Sequence, residues 1–171
     1  MTRHVLLLTG GLGAGKTAVA KEVVAIASVV GLRAAAIDLD WLGWTTLATG
    51  GVDDLIARNL TAIAANYAAL GIDHLVVARG IVNPDGLEVL AAALPKWKRE
   101  VVRLDATSVT MENRIRARDA GAELEEHLAQ LDEMAQRVRE ATPTAHAVVN
   151  DQRALRDVAR EVMRATGWID G

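Results

Sequence analysis

The chain has 171 residues, 51% of them hydrophobic, so it can enclose a substantial core, yet its apolar residues come in short blocks well below the ~20 that a bilayer span needs. A net charge of −3, with no basic stripe interleaved with aromatics, argues against nucleic acid as the main partner, and the lack of cysteine excludes a disulfide framework or a thiolate metal site. The expectation is a cytoplasmic protein, with no membrane or nucleic-acid partner, acting as a monomer or homodimer.

The chain alternates between two kinds of segment. Residues 4–9 (HVLLLT) form an apolar run too brief for a helix, ending at glycines. Residues 16–30 carry apolar side chains at helical spacing and stop at Gly31. Residues 32–39 read as a second strand. Residues 52–70 read as a helix with Asp53 as N-cap and Gly71 as stop. A third strand at 74–78 leads to the turn Asn83-Pro84-Asp85-Gly86 and a short helix to about Ala93. A fourth strand at 100–105 precedes helices at 108–118 and 123–140, separated by a break at Asp119-Ala120-Gly121. Residues 146–149 are a fifth strand, after which Asp151 caps a last helix ending at Gly167.

Strands alternating with helices call for a parallel sheet covered on both faces, in one domain of three layers. Aromatics are few: Tyr67, four tryptophans and no phenylalanine. The core therefore falls to Val, Leu, Ile and Ala, the usual filling of covered parallel sheets.

The first strand–helix junction carries the chemistry. Gly10-Gly11-Leu12-Gly13-Ala14-Gly15-Lys16-Thr17 fits G-x-x-x-x-G-K-(S/T), with Ala18 next on the helix. Glycines let the backbone wrap so that successive N–H groups point at phosphate oxygens, and the helix N-terminus adds its own donors. Lys16 reaches the β- and γ-phosphates, while the Thr17 hydroxyl ligates Mg²⁺. Nucleoside triphosphate binding follows.

The second strand ends in Asp38-Leu39-Asp40. In an open parallel sheet, ligands sit beyond the carboxyl ends of the strands, so both carboxylates belong near the phosphates. One could accept a proton from an attacking hydroxyl and the other orient Mg²⁺. The alternative is a solvated turn with an N-cap. Arg79, at the end of the third strand, points toward the same cleft, where it either binds an anionic acceptor or forms an ion pair. The four histidines show no metal spacing and receive no role.

The order of glycine loop, D-x-D at 38–40 and arginine-bearing segment at 113–121 resembles the P-loop small-molecule kinases: shikimate kinase, gluconate kinase, chloramphenicol phosphotransferase and adenylylsulfate kinase. The nucleoside monophosphate kinases are wider relatives. The resemblance implies a sheet of strand order 2-3-1-4-5, ATP and Mg²⁺ as cofactors, and transfer of the γ-phosphoryl group to a small-molecule hydroxyl. It implies Asp38 near Mg²⁺ and Asp40 near the acceptor, although other members use the first aspartate as base, so both remain candidates. Arg114 and Arg118, four residues apart on one helical face, correspond to lid arginines that embrace the moving phosphoryl group and stack on adenine, within a lid at about 114–127. Residues 41–70 correspond to the acceptor-binding region, which makes Trp41, Trp44 and Arg58 candidates for the acceptor, and Arg79 joins them from the end of the third strand. The loop at 150–155 falls where relatives cradle adenine, with Arg153 as a candidate for stacking.

Departures from the family pattern narrow the reading. The glycine triplet that shikimate kinase carries after strand three is replaced by VVARGIV (76–82), and Ala78 and Arg79 stand where a second metal-binding aspartate is common. Two other readings remain open: a nucleoside monophosphate kinase, and an ATP-binding regulatory module. A GTPase switch would require D-x-x-G and N-K-x-D, and neither occurs in place.

Overall fold

Along the first strand, Leu6 and Leu8 join one apolar cluster while Val5 and Leu7 join another. The same two-residue period sends Val76 to the first cluster and Leu75 and Val77 to the second. A strand buried on both faces needs such a run with no polar interruption. In the computed structural model, which describes residues 2–43, 45–46 and 51–170, the strands are β1 (Arg3–Gly10), β2 (Ala34–Asp38), β3 (His74–Ala78), β4 (Trp97–Asp105) and β5 (His146–Val149). They form one parallel sheet in the order β2-β3-β1-β4-β5, as the resemblance implied.

The helices are α1 (Lys16–Val29), α2 (Val52–Ala69), α3 (Pro84–Ala93), α4 (Ser108–Arg118), α5 (Gly121–Ala141) and α6 (Leu155–Ala165), with a 3-10 turn at Leu39–Gly43. α1, α4, α5 and α6 supply Val23, Ile115, Leu131 and Val162 to one face of the sheet. α2 and α3 supply Leu60 and Leu90 to the other. Among the described residues no helix is long and apolar enough to cross a membrane.

Gly31 and Gly71 end α1 and α2 as expected. Both are left-handed (φ 80° and 84°), and the next residues close back, Leu32 N donating to Ala27 O and Ile72 N to Tyr67 O. Asn83 caps α3, its side chain accepting from Gly86 N at 2.8 Å.

Two expected caps are corrected. Gly51 (φ 93°), not Asp53, is the N-cap of α2, and Asp53 lies inside the first turn. Asp151 does not cap the last helix, which starts at Leu155 after Ala154 with no side-chain cap. Asp151 instead accepts from Thr107 Oγ1 at 3.3 Å, next to Asn150, whose N donates to Asp105 O at 2.7 Å. β4 is longer than its apolar core suggested: it begins at Trp97, since Arg3–Gly10 of β1 pairs with it residue by residue. Register also brings together two histidines that looked scattered. His4 lies opposite His74, and their rings stack with centroids 5.1 Å apart.

Because all strands run the same way, the segments after β1, β2 and β3 emerge at one edge of the sheet. β1 is central, and the chain leaves it for β2 on one side and later for β4 on the other. The glycine loop thus stands at the point where the strand order reverses, the usual place for a ligand crevice.

Leu60 is fully buried and Arg58, two residues earlier on α2, is exposed. We expect Leu60→Ala to lower unfolding free energy by about 2–5 kcal/mol in urea titrations. Arg58→Ala should stay within about 0.5 kcal/mol of the parent.

Candidate functional site

The loop from Gly10 to Gly15 needs glycine for two reasons. Gly13 and Gly15 are left-handed (φ 71° and 91°), and a Cβ on Gly13 would stand 2.6 Å from the Met111 carbonyl oxygen. Turning the loop's N–H groups inward turns its carbonyls outward into protein, where each needs a donor. Arg114 Nη1 donates to Gly13 O (3.2 Å) and Ala14 O (3.4 Å), and its Nη2 to Asn150 O (3.0 Å). Asn150 is buried and donates from Nδ2 to Ala14 O at 2.7 Å. Lys16 Nζ folds over the loop, donating to Gly10 O (3.1 Å) and Gly11 O (3.0 Å). Burial of this half-buried ammonium lowers its pKa, with the Arg118 charge acting the same way, while the Asp40 and Asp38 carboxylates oppose the shift.

The two aspartates after β2 take different positions. Asp38 ends the strand, and its Oδ2 accepts from Thr17 Oγ1 at 2.5 Å while its Oδ1 accepts from Asp40 N at 3.2 Å. A hydroxyl and a carboxylate oxygen thus converge at the start of α1, a donor set of hard oxygens that suits Mg²⁺. Asp40 sits in the 3-10 turn, exposed at the mouth of the cleft yet crowded by protein that displaces much of its water. That desolvation raises its pKa above the ordinary 3.8; Asp38 adds to the rise, while Lys16 and Arg79 work against it.

These groups line a cleft of about 930 Å³. Its walls bring together Leu12, Gly13, Gly15, Lys16, Thr17, Ala18, Asp38, Asp40, Trp41, Arg114 and Arg118 from the sequence expectations. They add Lys21, Asp119, Glu123 and His127, to which the sequence reading gave no role. Trp41 exposes 67% of its surface rather than packing under the sheet.

Other candidates lie elsewhere. Arg153 is not among the lining residues: it donates to Val149 O and pairs with Glu161 at 2.6 Å, which spends its guanidinium on the protein's own surface. Arg58 is exposed on α2 and also off the cleft. Arg79 forms a 2.6 Å ion pair with Asp53, the residue freed from its expected capping role. Trp44 lies outside the described residues.

The break between α4 and α5 builds a small charged relay over the cleft. Arg118 grips Asp119 with two hydrogen bonds, Nε to Oδ1 at 2.5 Å and Nη2 to Oδ2 at 2.9 Å. His127, two turns into α5, meets the same carboxylate at 2.7 Å from Nδ1. Sequence spacing could not reveal this contact, because two non-helical residues, Asp119 and Ala120, separate the two helices. Asp119, Glu123 and His127 place ligand-type atoms within 4.8 Å of one another. Asp119 is already occupied by Arg118, so the group reads as an anchor for that arginine rather than as a cation site. Arg116 points away and pairs with Glu112 one turn back.

No protein-family model matches the chain, and no curated protein matches it in sequence. Among solved structures it is similar to a gluconokinase from Sinorhizobium meliloti 1021, with TM-score 0.65, 18% identity and coverage of 98% of this chain and 93% of that one. It is similar to the tunicamycin resistance protein of Deinococcus radiodurans, with TM-score 0.64, 14% identity and 96% of each chain. It is also similar to the Mycobacterium tuberculosis APS kinase in complex with AMPPNP and APS, with TM-score 0.57, 19% identity and coverage of 96% and 97%. The likeness is one of fold: the sheet and its helices have the arrangement of the P-loop small-molecule kinases.

Arg118's hydrogen bonds, aided by His127, hold the Asp119 carboxyl well below its ordinary 3.8 despite burial, which acts the other way. A depressed carboxylate pKa contributes stability in full above the unfolded value and loses it as pH falls through the folded one. Asp119→Asn is therefore expected to be less stable than the parent by a constant margin above about pH 4, and the margin should narrow below it. Denaturant titrations across pH 2–7 check this.

Proposed function

We propose that the chain is an ATP-dependent kinase that transfers a γ-phosphoryl group to a hydroxyl of a small molecule, using residues 1–171 as one kinase-like unit. The observation that carries this reading is the separation of the two aspartates. Asp38 is drawn to Thr17, whereas Asp40 stands apart at the mouth of the same cleft within the fields of Lys16 and Arg79. One carboxylate beside the Thr17 hydroxyl and one facing open cleft is what phosphoryl transfer to an alcohol requires.

In this scheme Gly10–Ala18 cradle the triphosphate through backbone N–H groups, and Lys16 swings from the Gly10 and Gly11 carbonyls onto the β- and γ-phosphates. Thr17 and Asp38 would hold Mg²⁺, which would supply positive charge against the phosphates. Asp40 accepts the acceptor's hydroxyl proton as its oxygen bonds to the γ-phosphorus, the bond from that phosphorus to the β-bridging oxygen breaks, and ADP leaves. Arg118, held by Asp119 and His127, lies over the cleft in the lid at 114–127 and stabilises the moving group; its charge is felt by both Lys16 and Asp38. Arg114 braces the loop rather than reaching for the phosphoryl group, since its guanidinium is engaged by three carbonyls.

The fold likeness to a gluconokinase and an APS kinase supports the class of reaction and leaves the acceptor open. A nucleoside monophosphate acceptor is disfavoured by the Arg79–Asp53 pair and by the position of Arg58 off the cleft.

Asp40→Asn is expected to lower kcat by about 10²–10⁴ while leaving ATP affinity within about threefold, read by coupled ADP release and by nucleotide titration. Equal turnover in this variant would remove Asp40 as the base. The acid limb of the kcat/KM profile should lie above the range of an ordinary carboxylate, because burial raises the Asp40 pKa. Arg79→Gln removes a charge that favours the ionised form, so the limb should move to still higher pH; a limb that stays or falls contradicts the assignment.

A further inference from the structure

The cleft is divided by charge. Its basic side chains are Lys16, Lys21, Arg114 and Arg118, which come from the loop and α1 on one flank and from α4 above. The flank after β2 contributes Asp38, Asp40 and Trp41. Since Asp40 must touch the acceptor hydroxyl to take its proton, the acceptor lies on that flank.

Cations available there are few. Residues 41–70 contain one basic residue, Arg58, against the two acids Asp53 and Asp54. None of the residues at 44 and 47–50 is charged. Arg58 is off the cleft, and Arg79 is held by Asp53 at 2.6 Å with only 18% of its side chain exposed. An anionic acceptor would have to displace Asp53 from Arg79 while sitting against Asp40 and near Asp38. Burying a charge without a partner beside like charges is costly, and among the described residues this flank offers no compensating donor fork. Trp41 instead presents a broad, exposed apolar ring beside Asp40.

We infer that the acceptor is an uncharged hydroxyl compound, bound to Asp40 through its hydroxyl and against Trp41 through an apolar face, rather than a carboxylate, phosphate or sulfate. This rests on the kinase reading. It also separates the chain from its fold neighbour crystallised with APS, an anionic acceptor.

The test uses the whole protein with Mg-ATP and matched acceptor pairs that differ only in charge: gluconate and gluconamide, shikimate and its methyl ester, uridine monophosphate and uridine. Products are identified by mass. The uncharged member of a pair should be phosphorylated faster by about tenfold or more. Faster turnover of the anionic member overturns the inference while leaving the kinase reading intact.

A binding experiment decides the point without turnover. Protein loaded with AMPPNP and Mg²⁺ is titrated with sulfate and with gluconate by calorimetry, as the parent, Arg79→Gln and Lys21→Ala. We expect no anion binding by the parent. Anion binding that either variant weakens by about tenfold or more overturns the inference. If none of these six compounds is phosphorylated although ATP binds, the titration alone decides whether this flank accepts an anion.

Discussion

The structure turns on where the carbonyl groups of the glycine loop go. A loop that aims its N–H groups at a polyanion must aim its C=O groups back into the protein, and a buried carbonyl without a donor costs about 1–3 kcal/mol. Here the donors come from far along the chain: Arg114 on α4 and Asn150 just after β5. Asn150 N also donates to Asp105 O at 2.7 Å, tying the brace to the end of β4. The loop is thus preorganised by the parts of the fold that follow it, and the Arg114 guanidinium is taken up by carbonyls in doing so. Pre-positioned donors stabilise developing charge better than donors that must reorganise during reaction.

The same economy explains the rest of the cleft. With Arg114 engaged by the loop, Arg118 is the arginine that lies over the cleft, gripped by the Asp119 carboxylate, which His127 in turn braces. A long flexible side chain loses less entropy on meeting a phosphoryl group if packing and hydrogen bonds already restrict it. On the opposite flank, Arg79 is paired with Asp53, yet its charge still works against the rise that burial gives the Asp40 pKa. The cation therefore tunes the neighbouring carboxylate even while paired. Basic side chains are concentrated on the loop, α1 and α4, whereas the flank after β2 carries Asp38 and Asp40 with Arg79 already paired, so the two halves suit different chemistries. The fold alone would not say so, because similar sheets occur in a gluconokinase, an APS kinase and a tunicamycin resistance protein.

Several features of this fold are readable in one dimension because their causes are local. Apolar runs such as VLLLT bounded by glycine can only be buried strands, and glycines at 31 and 71 stop helices through a left-handed turn that costs other residues more. The loop motif and Asp38-Leu39-Asp40 are equally local, and parallel topology then places them at one edge of the sheet. Errors arose where a side chain had a distant alternative. Asp53 is a good N-cap residue by type, yet Arg79 takes it, leaving Gly51 to start the helix. Asp151 likewise looked like a cap, but the need to deliver Asn150 to the loop pulled that segment away.

By itself, then, the sequence determined the order of elements, the parallel sheet, the triphosphate loop and the pair of carboxylates, since each follows from spacing and backbone chemistry within a few residues. Tertiary structure decided which arginine braces and which reaches over the cleft, that Arg153 and Arg58 stand apart from it, and that Asp119 and His127 join Arg118. Those outcomes depend on which partner a charged side chain finds far along the chain, as Arg114 does with Gly13 at a separation of 101 residues. A guanidinium looks the same in sequence whichever carbonyl or carboxylate it meets, so its role is set only when the chain has folded and burial has made an unpaired alternative too costly.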